Sequence, residues 1–170
     1  MRCPLLSSRS CLPALLFLGC LTGCQSYYKT FRDVPVARLR FQQVWDACVA
    51  TADTEFSVDP AQTDRGLREI TTRWRTRILP FGQGRRVRAH FEVRSDADDR
   101  HLVRYYVERQ RVPNIKVSMR PRESDWEAAG QDPEIELRLL HHLRLRLAQA
   151  ARGSLPSVRG VKLQDPMRRR

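Results

Sequence analysis

Residues 85–112, RRVRAHFEVRSDADDRHLVRYYVERQRV, are the stretch that decides the fold of this chain. Apolar and polar side chains alternate on both sides of the polar segment 95–100, which has the composition of a turn. Alternation with a period of two places successive side chains on opposite faces of a strand. The stretch therefore predicts an antiparallel hairpin with one buried face and one face in water.

The same alternation predicts the register of the hairpin, because apolar positions have to meet apolar positions. The expected pairs are Phe91 with Tyr105 on the buried face, and Glu92 with Arg104 and Arg88 with Glu108 on the wet face. Opposite charges directly across two strands stabilise the pairing by roughly a few tenths of a kcal/mol each. A shift of one residue would exchange the two faces.

Upstream, residues 67–79 predict a further strand, joined to the hairpin by the turn-like segment 80–84. In this strand Ile70, Thr72, Trp74, Thr76 and Ile78 alternate with Thr71, Arg73, Arg75 and Arg77. Matching the buried positions places Arg73 near Glu92. The three strands form a meander, and residues 56–58 predict one more short strand.

Two helices complete the expected domain. Residues 40–55 carry one apolar stripe of helical period, in which Cys48 is a small buried residue. Asp132 and Pro133 suit the start of a second helix, which runs to about residue 150. The segment 113–132, between the hairpin and the second helix, is irregular, and Trp126 is expected to fold back onto the body. The predicted fold class is α+β: a three- to four-stranded antiparallel meander with two amphipathic helices on one face.

The N-terminus has the layout of a secretory signal. Arg2 and Arg9 give a positive start, residues 12–18 are apolar, and small residues follow. The apolar run is far shorter than the roughly 20 residues of a membrane-spanning helix. Export is therefore expected, without a retained transmembrane helix.

Leu21-Thr22-Gly23-Cys24 closes this segment and resembles the bacterial lipobox. The resemblance implies cleavage between Gly23 and Cys24 and a diacylglyceryl group on the Cys24 sulfur. Cys20 is a competing site with a poorer preceding sequence, and an ordinary signal with a chance cysteine is the other alternative. Gln25 is not the aspartate that retains many lipoproteins in the inner membrane, so the periplasmic side of the outer membrane is favoured. The expected divisions are a signal peptide at 1–23, a lipidated cysteine and tether at 24–38, one domain at 39–150 and a flexible basic tail at 151–170.

Cleavage changes the cysteine and charge balance. Of five cysteines only Cys48 remains besides the lipidated one, so an internal disulfide is excluded. Loss of Arg2 and Arg9 lowers the net charge from +12 to +10, and all but three of the basic residues are arginine. Export makes nucleic acid an improbable partner for this charge.

Three short motifs also resemble helix-grip lipoproteins such as the C component of the outer-membrane protein assembly complex. They are Val44-Trp45, Asp64-Arg65-Gly66-Leu67 and Thr71-Thr72-Arg73-Trp74, within residues 40–110. The resemblance implies a sheet wrapped on a helix and an envelope location. The chain has room for one such domain, where that component has two.

The sequence offers no catalytic constellation, and no cofactor or metal is expected. His141 and His142 are adjacent on a helix and point apart, unlike a metal-binding pair four residues apart. Asp96, Asp98 and Asp99 lack the glycine and closing glutamate of a calcium loop. Cys48 has no neighbouring base motif. An enzyme is therefore the least favoured class.

The one extended feature is the wet face of the sheet, where arginines suit phosphate or carboxylate groups. Its predicted members are Arg73, Arg75, Arg77, Arg86, Arg88, Arg94 and Arg104. This face predicts a lipid-anchored scaffold or binding component whose partner is an envelope protein, an anionic polymer or a lipid. The alternatives are a solvated face whose charges pair with one another, and a helix-grip module that binds a small apolar ligand between sheet and helix.

Overall fold

The domain is an antiparallel sheet of six strands with two helices. The computed structural model describes residues 29–36, 38–78, 84–96, 100–113 and 120–153. Its elements are β1 (Arg32–Val36), α1 (Phe41–Glu55), β2 (Glu69–Thr71), β3 (Arg75–Ile78), β4 (Gly84–Ser95), β5 (His101–Val112), a 3-10 turn (Glu123–Asp125), β6 (Glu127–Gln131) and α2 (Pro133–Ala151). The predicted α+β class with an antiparallel sheet and two helices is confirmed.

The hairpin β4–β5 forms the centre of the sheet, and its predicted register is confirmed. Phe91 lies opposite Tyr105, Glu92 opposite Arg104 and Arg88 opposite Glu108. Each long strand carries two short strands on its outer edge: β2 and β3 pair with β4, whereas β1 and β6 pair with β5. From β2 to β5 the strands follow one another as the expected meander, whereas β6 lies in the segment 113–132 that was predicted to be irregular.

β1 changes the expected start of the domain. Its residues lie in the segment interpreted as a tether, yet Arg32 pairs with Tyr105 and Val36 with His101 along the edge of β5. Val34 and Val36 are buried in the core. The structural unit therefore begins by Arg32, and not at residue 39.

The strand predicted over residues 67–79 is two strands, and its predicted register is wrong. Glu69, and not Arg73, lies opposite Glu92, whereas Arg75 lies opposite Val87 in β3. Between β2 and β3 the backbone N–H of Thr72 donates to the carbonyl of Ala89, and the Thr72 hydroxyl accepts from the Ala89 N–H at 2.9 Å. This local irregularity shifts β3 by one residue and exchanges its faces. Residues 56–58 form no strand; Val58 makes a single bridge to Thr72.

Both helices cover one face of the sheet and form the core with it. Trp45 and Cys48 of α1 and Leu139 and Leu143 of α2 have 1% or less of their surface exposed. They lie in one cluster with Val87, Ala89, Phe91, Val93, Val103, Tyr105 and Val107 of the central hairpin. Cys48 is a buried apolar residue, as expected. Burial raises the pKa of its thiol.

Helix α2 begins where the sequence predicted. The Asp132 side chain accepts a hydrogen bond from the Ile135 N–H at 3.2 Å, and Pro133 follows as the first helical residue. The helix ends before Gly153, whose φ of 70° is one that glycine adopts without strain. Within the described part of the chain, no helix combines the length and the hydropathy needed to cross a membrane.

Candidate functional site

The sheet divides the predicted basic residues between its two faces. Arg86, Arg88, Arg94 and Arg104 lie on the face opposite the helices, in register with Gln110, Glu108, Leu102 and Glu92. We call this the open face, and its other members are Trp74, His90, Glu92, Tyr106 and Glu108. Arg75 and Arg77 do not belong to it, because they lie opposite Val87 and Arg85 of the helix-covered face. Arg73 is exposed in the irregular link before β3.

Trp74 lies on the open face and not in the core, because of the same one-residue shift. The guanidinium of Arg88 lies 4.3 Å from the centre of its ring and that of Arg86 lies 4.4 Å away. Cation–π contacts of this kind contribute about 0.5–2 kcal/mol, depending on solvent exposure. The side chain that the alternation placed inward is thus held outward by two arginines of β4.

Arg86 is the most buried charge on the open face, with 6% of its surface exposed. Its guanidinium lies between Trp74 and Trp126, 4.6 Å from the latter ring. It donates to Gln110 at 2.8 Å and pairs through both terminal nitrogens with Glu123. Arg86 therefore holds the segment 120–126 onto the sheet, and Trp126 folds back as predicted.

The centre of the open face is a network around Glu108. Its Oε2 accepts from the Arg88 Nε at 2.9 Å and lies 3.2 Å from the His90 Nε2. The His90 ring stacks on Tyr106 with 4.6 Å between centroids, and its Nδ1 lies 3.3 Å from the Thr71 hydroxyl. The contact with His90 and the pair with Arg88 lower the pKa of Glu108 to about 2, although burial opposes this shift.

The contacts in this network link an acid, an imidazole and a hydroxyl, as in the catalytic triads of hydrolases: Glu108, His90 and Thr71. However, Thr71 is buried, and its backbone N–H and carbonyl both bond to the hydroxyl of Thr63. The Glu108 carboxylate is shared with Arg88. These contacts lock the three side chains into cross-strand packing, and a structural role accounts for all of them.

We expect Glu108→Gln to make stability less sensitive to acid. The pKa of Glu108 is about 2 in the folded protein against an ordinary 4.5, so its contribution is complete above about pH 4.5 and is lost as the pH falls towards 2. This contribution of Glu108 to the free energy of unfolding is on the order of 1–2 kcal/mol once solvent screening is allowed for. Urea unfolding of both proteins at about pH 7 and about pH 3 measures it. Glu134→Gln, at an exposed ion pair, is the control and should follow the wild type.

The remaining charges of the open face form a chain along its other half. Arg94 pairs with Glu92 at 2.6 Å, and Arg104 pairs with Asp33 at 3.2 Å and with Glu92 at 3.6 Å. The Arg104 guanidinium also lies 4.4 Å from the centre of the Phe31 ring. All four arginines of the open face therefore have carboxylate partners, and the face presents charges of both signs beside aromatic rings.

Comparison of the chain with models of known protein families and with curated proteins finds no match. The lipobox residues Gly23 and Cys24 and the competing Cys20 lie outside the described residues, as does most of the predicted tail. His141 and His142 are neighbours on α2 with rings 5.9 Å apart. Among the described residues, no three His, Cys, Asp or Glu side chains are grouped to hold a metal ion.

Sequence reasoning missed Glu136, which accepts more hydrogen bonds than any other buried acid among the described residues. Its Oε1 accepts from the backbone N–H of Val107 at 3.2 Å and from Gln131 at 3.0 Å. Its Oε2 accepts from Arg32 at 2.7 Å. The residue borders a groove of about 420 Å³ lined by Thr30, Phe31, Arg32, Asp33, Gln131, Glu136, Leu140 and Arg144. On the helix pattern alone, Glu136 is an ordinary acid of the first turn.

Proposed function

We propose that this protein is a non-enzymatic lipoprotein of the cell envelope that binds an envelope protein through the open face of its sheet. The lipid on Cys24 anchors it to a membrane, with the periplasmic side of the outer membrane favoured. The domain acts as a scaffold that holds its partner near that membrane. Neither a cofactor nor a nucleic-acid partner is part of the proposal.

The anchor rests on the sequence. The apolar run at residues 12–18 is followed by Leu21-Thr22-Gly23-Cys24, in which all four positions fit a lipobox. The folded unit begins by Arg32, which leaves seven residues between it and the lipidated cysteine. A short connection of this kind keeps the domain close to the membrane surface.

The observation that carries the binding function is that three open-face arginines, Arg86, Arg88 and Arg104, stack on aromatic rings. Arginine and tryptophan are the residues most enriched in the hot spots of protein interfaces. Trp74, Arg88 and Arg104 are each partly exposed, and their stacking fixes the side chains before a partner arrives. Because arginines alternate with Glu92 and Glu108, the face suits a protein surface of mixed charge better than a polyanion.

The helix-grip alternative requires space for an apolar ligand between the sheet and the helices. That space is occupied by side chains of the core, among them Trp45, Tyr105, Leu139 and Leu143, each with 1% or less of its surface exposed. Side chains packed at this density leave little room for a ligand without a cost in stability. The packing thus supports the surface of the sheet, and not its interior, as the binding site.

The experiment combines cross-linking in intact cells with recovery from the solubilised envelope. A photoreactive residue at Thr76, which is exposed on the open face opposite Arg86, should cross-link a defined partner. The double variant Trp74→Ala with Arg94→Glu should reduce its recovery by about tenfold or more, since loss of one hot spot exceeds 1.4 kcal/mol. Leu137→Ala with Arg144→Glu makes the same kinds of change on exposed positions of α2 and should leave recovery unchanged.

Equal recovery from the two double variants would contradict a binding role for the open face. Cys24→Ala tests the anchor separately: we expect it to abolish incorporation of a radioactive fatty acid. Equal labelling of wild type and Cys24→Ala would remove the lipid anchor from the proposal.

A further inference from the structure

A row of arginines crosses the helix-covered face at one end of the sheet, beyond the area that the helices shield. Arg77 of β3 lies opposite Arg85 of β4, and Arg85 lies opposite Arg111 of β5. All three are exposed, and we call them the arginine row. The fourth position of the row is Glu127 of β6, opposite Arg111. The row became visible only in the structure, because the sequence pattern had set Arg77 on the other face.

Three like charges directly across neighbouring strands oppose folding, since their β-carbons lie only about 4.5–5.5 Å apart. Arg85 is compensated by an ion pair with Asp132. For Arg77 and Arg111, no carboxylate of the described residues lies within ion-pair distance. The open face shows the contrasting case, in which all four arginines have an acidic partner. Two of the three guanidinium groups of the row are therefore left without an ion pair among the described residues.

Residues 29–31 lie towards the same end. β1 runs antiparallel to β5, so these residues lie on the side of Tyr106 and later residues of β5. The Thr30 N–H donates to Gln131 at 3.0 Å, and Lys29 lies 5.4 Å from the centre of the Tyr106 ring. From Tyr106 to Arg111 the distance along β5 is about 17 Å. The five steps of chain from Lys29 back to Cys24 can span up to about 18 Å.

We propose that the arginine row binds the anionic headgroups of the membrane in which Cys24 is anchored. The proposal rests on the lipid anchor of the proposed function, and it assigns the sheet end a separate role from the open face. Guanidinium groups match the oxygens of a phosphate in pairs. Basic residues near a negative membrane surface each add to attachment, and the row orients the domain with its open face accessible from the side.

The test uses the chain from Gln25 onwards, which lacks the signal segment and the lipidated cysteine, so that binding is measured without either. This protein should sediment with vesicles of phosphatidylglycerol and phosphatidylethanolamine more than with vesicles of phosphatidylcholine. Replacing Arg77, Arg85 and Arg111 by glutamine should weaken binding to the anionic vesicles by about tenfold or more. The control replaces Arg65, Arg100 and Arg144, which are exposed, by glutamine; this removes the same charge away from the row and should preserve binding.

Equal loss in the two triple variants would overturn the proposal, since it would show that net charge, and not the arginine row, controls binding. Equal sedimentation with neutral and anionic vesicles would overturn it as well. Circular dichroism verifies that each triple variant is folded, and Arg77→Gln with Arg111→Gln, which spares the Arg85–Asp132 pair, repeats the test. Fatty-acid labelling of Cys24 is read independently, so that failure of the anchor and failure of the arginine row are distinguishable.

Discussion

Glu136→Ala is expected to destabilise the domain by about 3 kcal/mol, because the carboxylate is buried and every group that it serves loses a partner. Only 4% of Glu136 is exposed. The Val107 N–H would be left without its acceptor in the interior, and Arg32 would lose its ion pair. Urea unfolding followed by circular dichroism measures the difference in the free energy of unfolding.

Two further variants separate the contributions to this loss. Glu136→Gln retains an oxygen for the Val107 N–H but loses the charge that faces Arg32, so we expect a smaller loss. Glu134→Ala removes an acid of the same helix that is exposed and pairs with Arg138 at the surface, and it should change stability by about 0.5 kcal/mol or less. Similar losses for Glu134→Ala and Glu136→Ala would show that Glu136 has no special structural role.

Leu139→Ala is the second large effect, at about 3–4 kcal/mol. Leu139 of α2 is fully buried in the core formed with α1 and the sheet. Shortening this side chain leaves a cavity that the surrounding residues fill only in part. Leu137→Ala is the matched control on the same helix. More than half of the Leu137 side chain is exposed, so its truncation should cost about 0.5 kcal/mol or less.

The Leu139 variant also bears on the ligand alternative. If a small apolar molecule normally fills space between the helices and the sheet, the site tolerates a missing side chain and the loss falls well below 2 kcal/mol. A loss in the full range supports an interior that its own side chains fill. The two outcomes differ by more than the error of an unfolding measurement.

The central hairpin was predictable because its signal is strong and local. Val87, Ala89, Phe91 and Val93 alternate strictly with polar or charged residues, and the pairing of Glu92 with Arg104 and of Arg88 with Glu108 selects one register among those that bury them. Residues 69–78 lacked such a constraint. Thr72 satisfies the backbone of Ala89 with its hydroxyl, and a shift of one residue at this point leaves no trace in the pattern of residue types.

The same reason explains why the face of Trp74 was predicted wrongly. A tryptophan at an apolar position of an alternating strand is normally assigned to the core, and its stability on the open face depends on two arginines of another strand. Glu136 was missed on similar grounds, since its partner Val107 lies 29 residues away. Contacts across this sequence separation are set by the tertiary fold and not by the local pattern.

The carboxylate of Glu136 has a consequence for the solubility of the domain. β1 covers the edge of β5 from His101 to Tyr105, and β6 covers it from Glu108 onwards. Between the two, Glu136 accepts from the N–H of Val107, and the N–H of Asp132 donates to the Val107 carbonyl. An uncovered strand edge recruits strands of other molecules and promotes aggregation. The Glu136 side chain and the Asp132 N–H thus close the gap that β1 and β6 leave along β5, so that Val107 offers no free backbone group to a strand of another molecule.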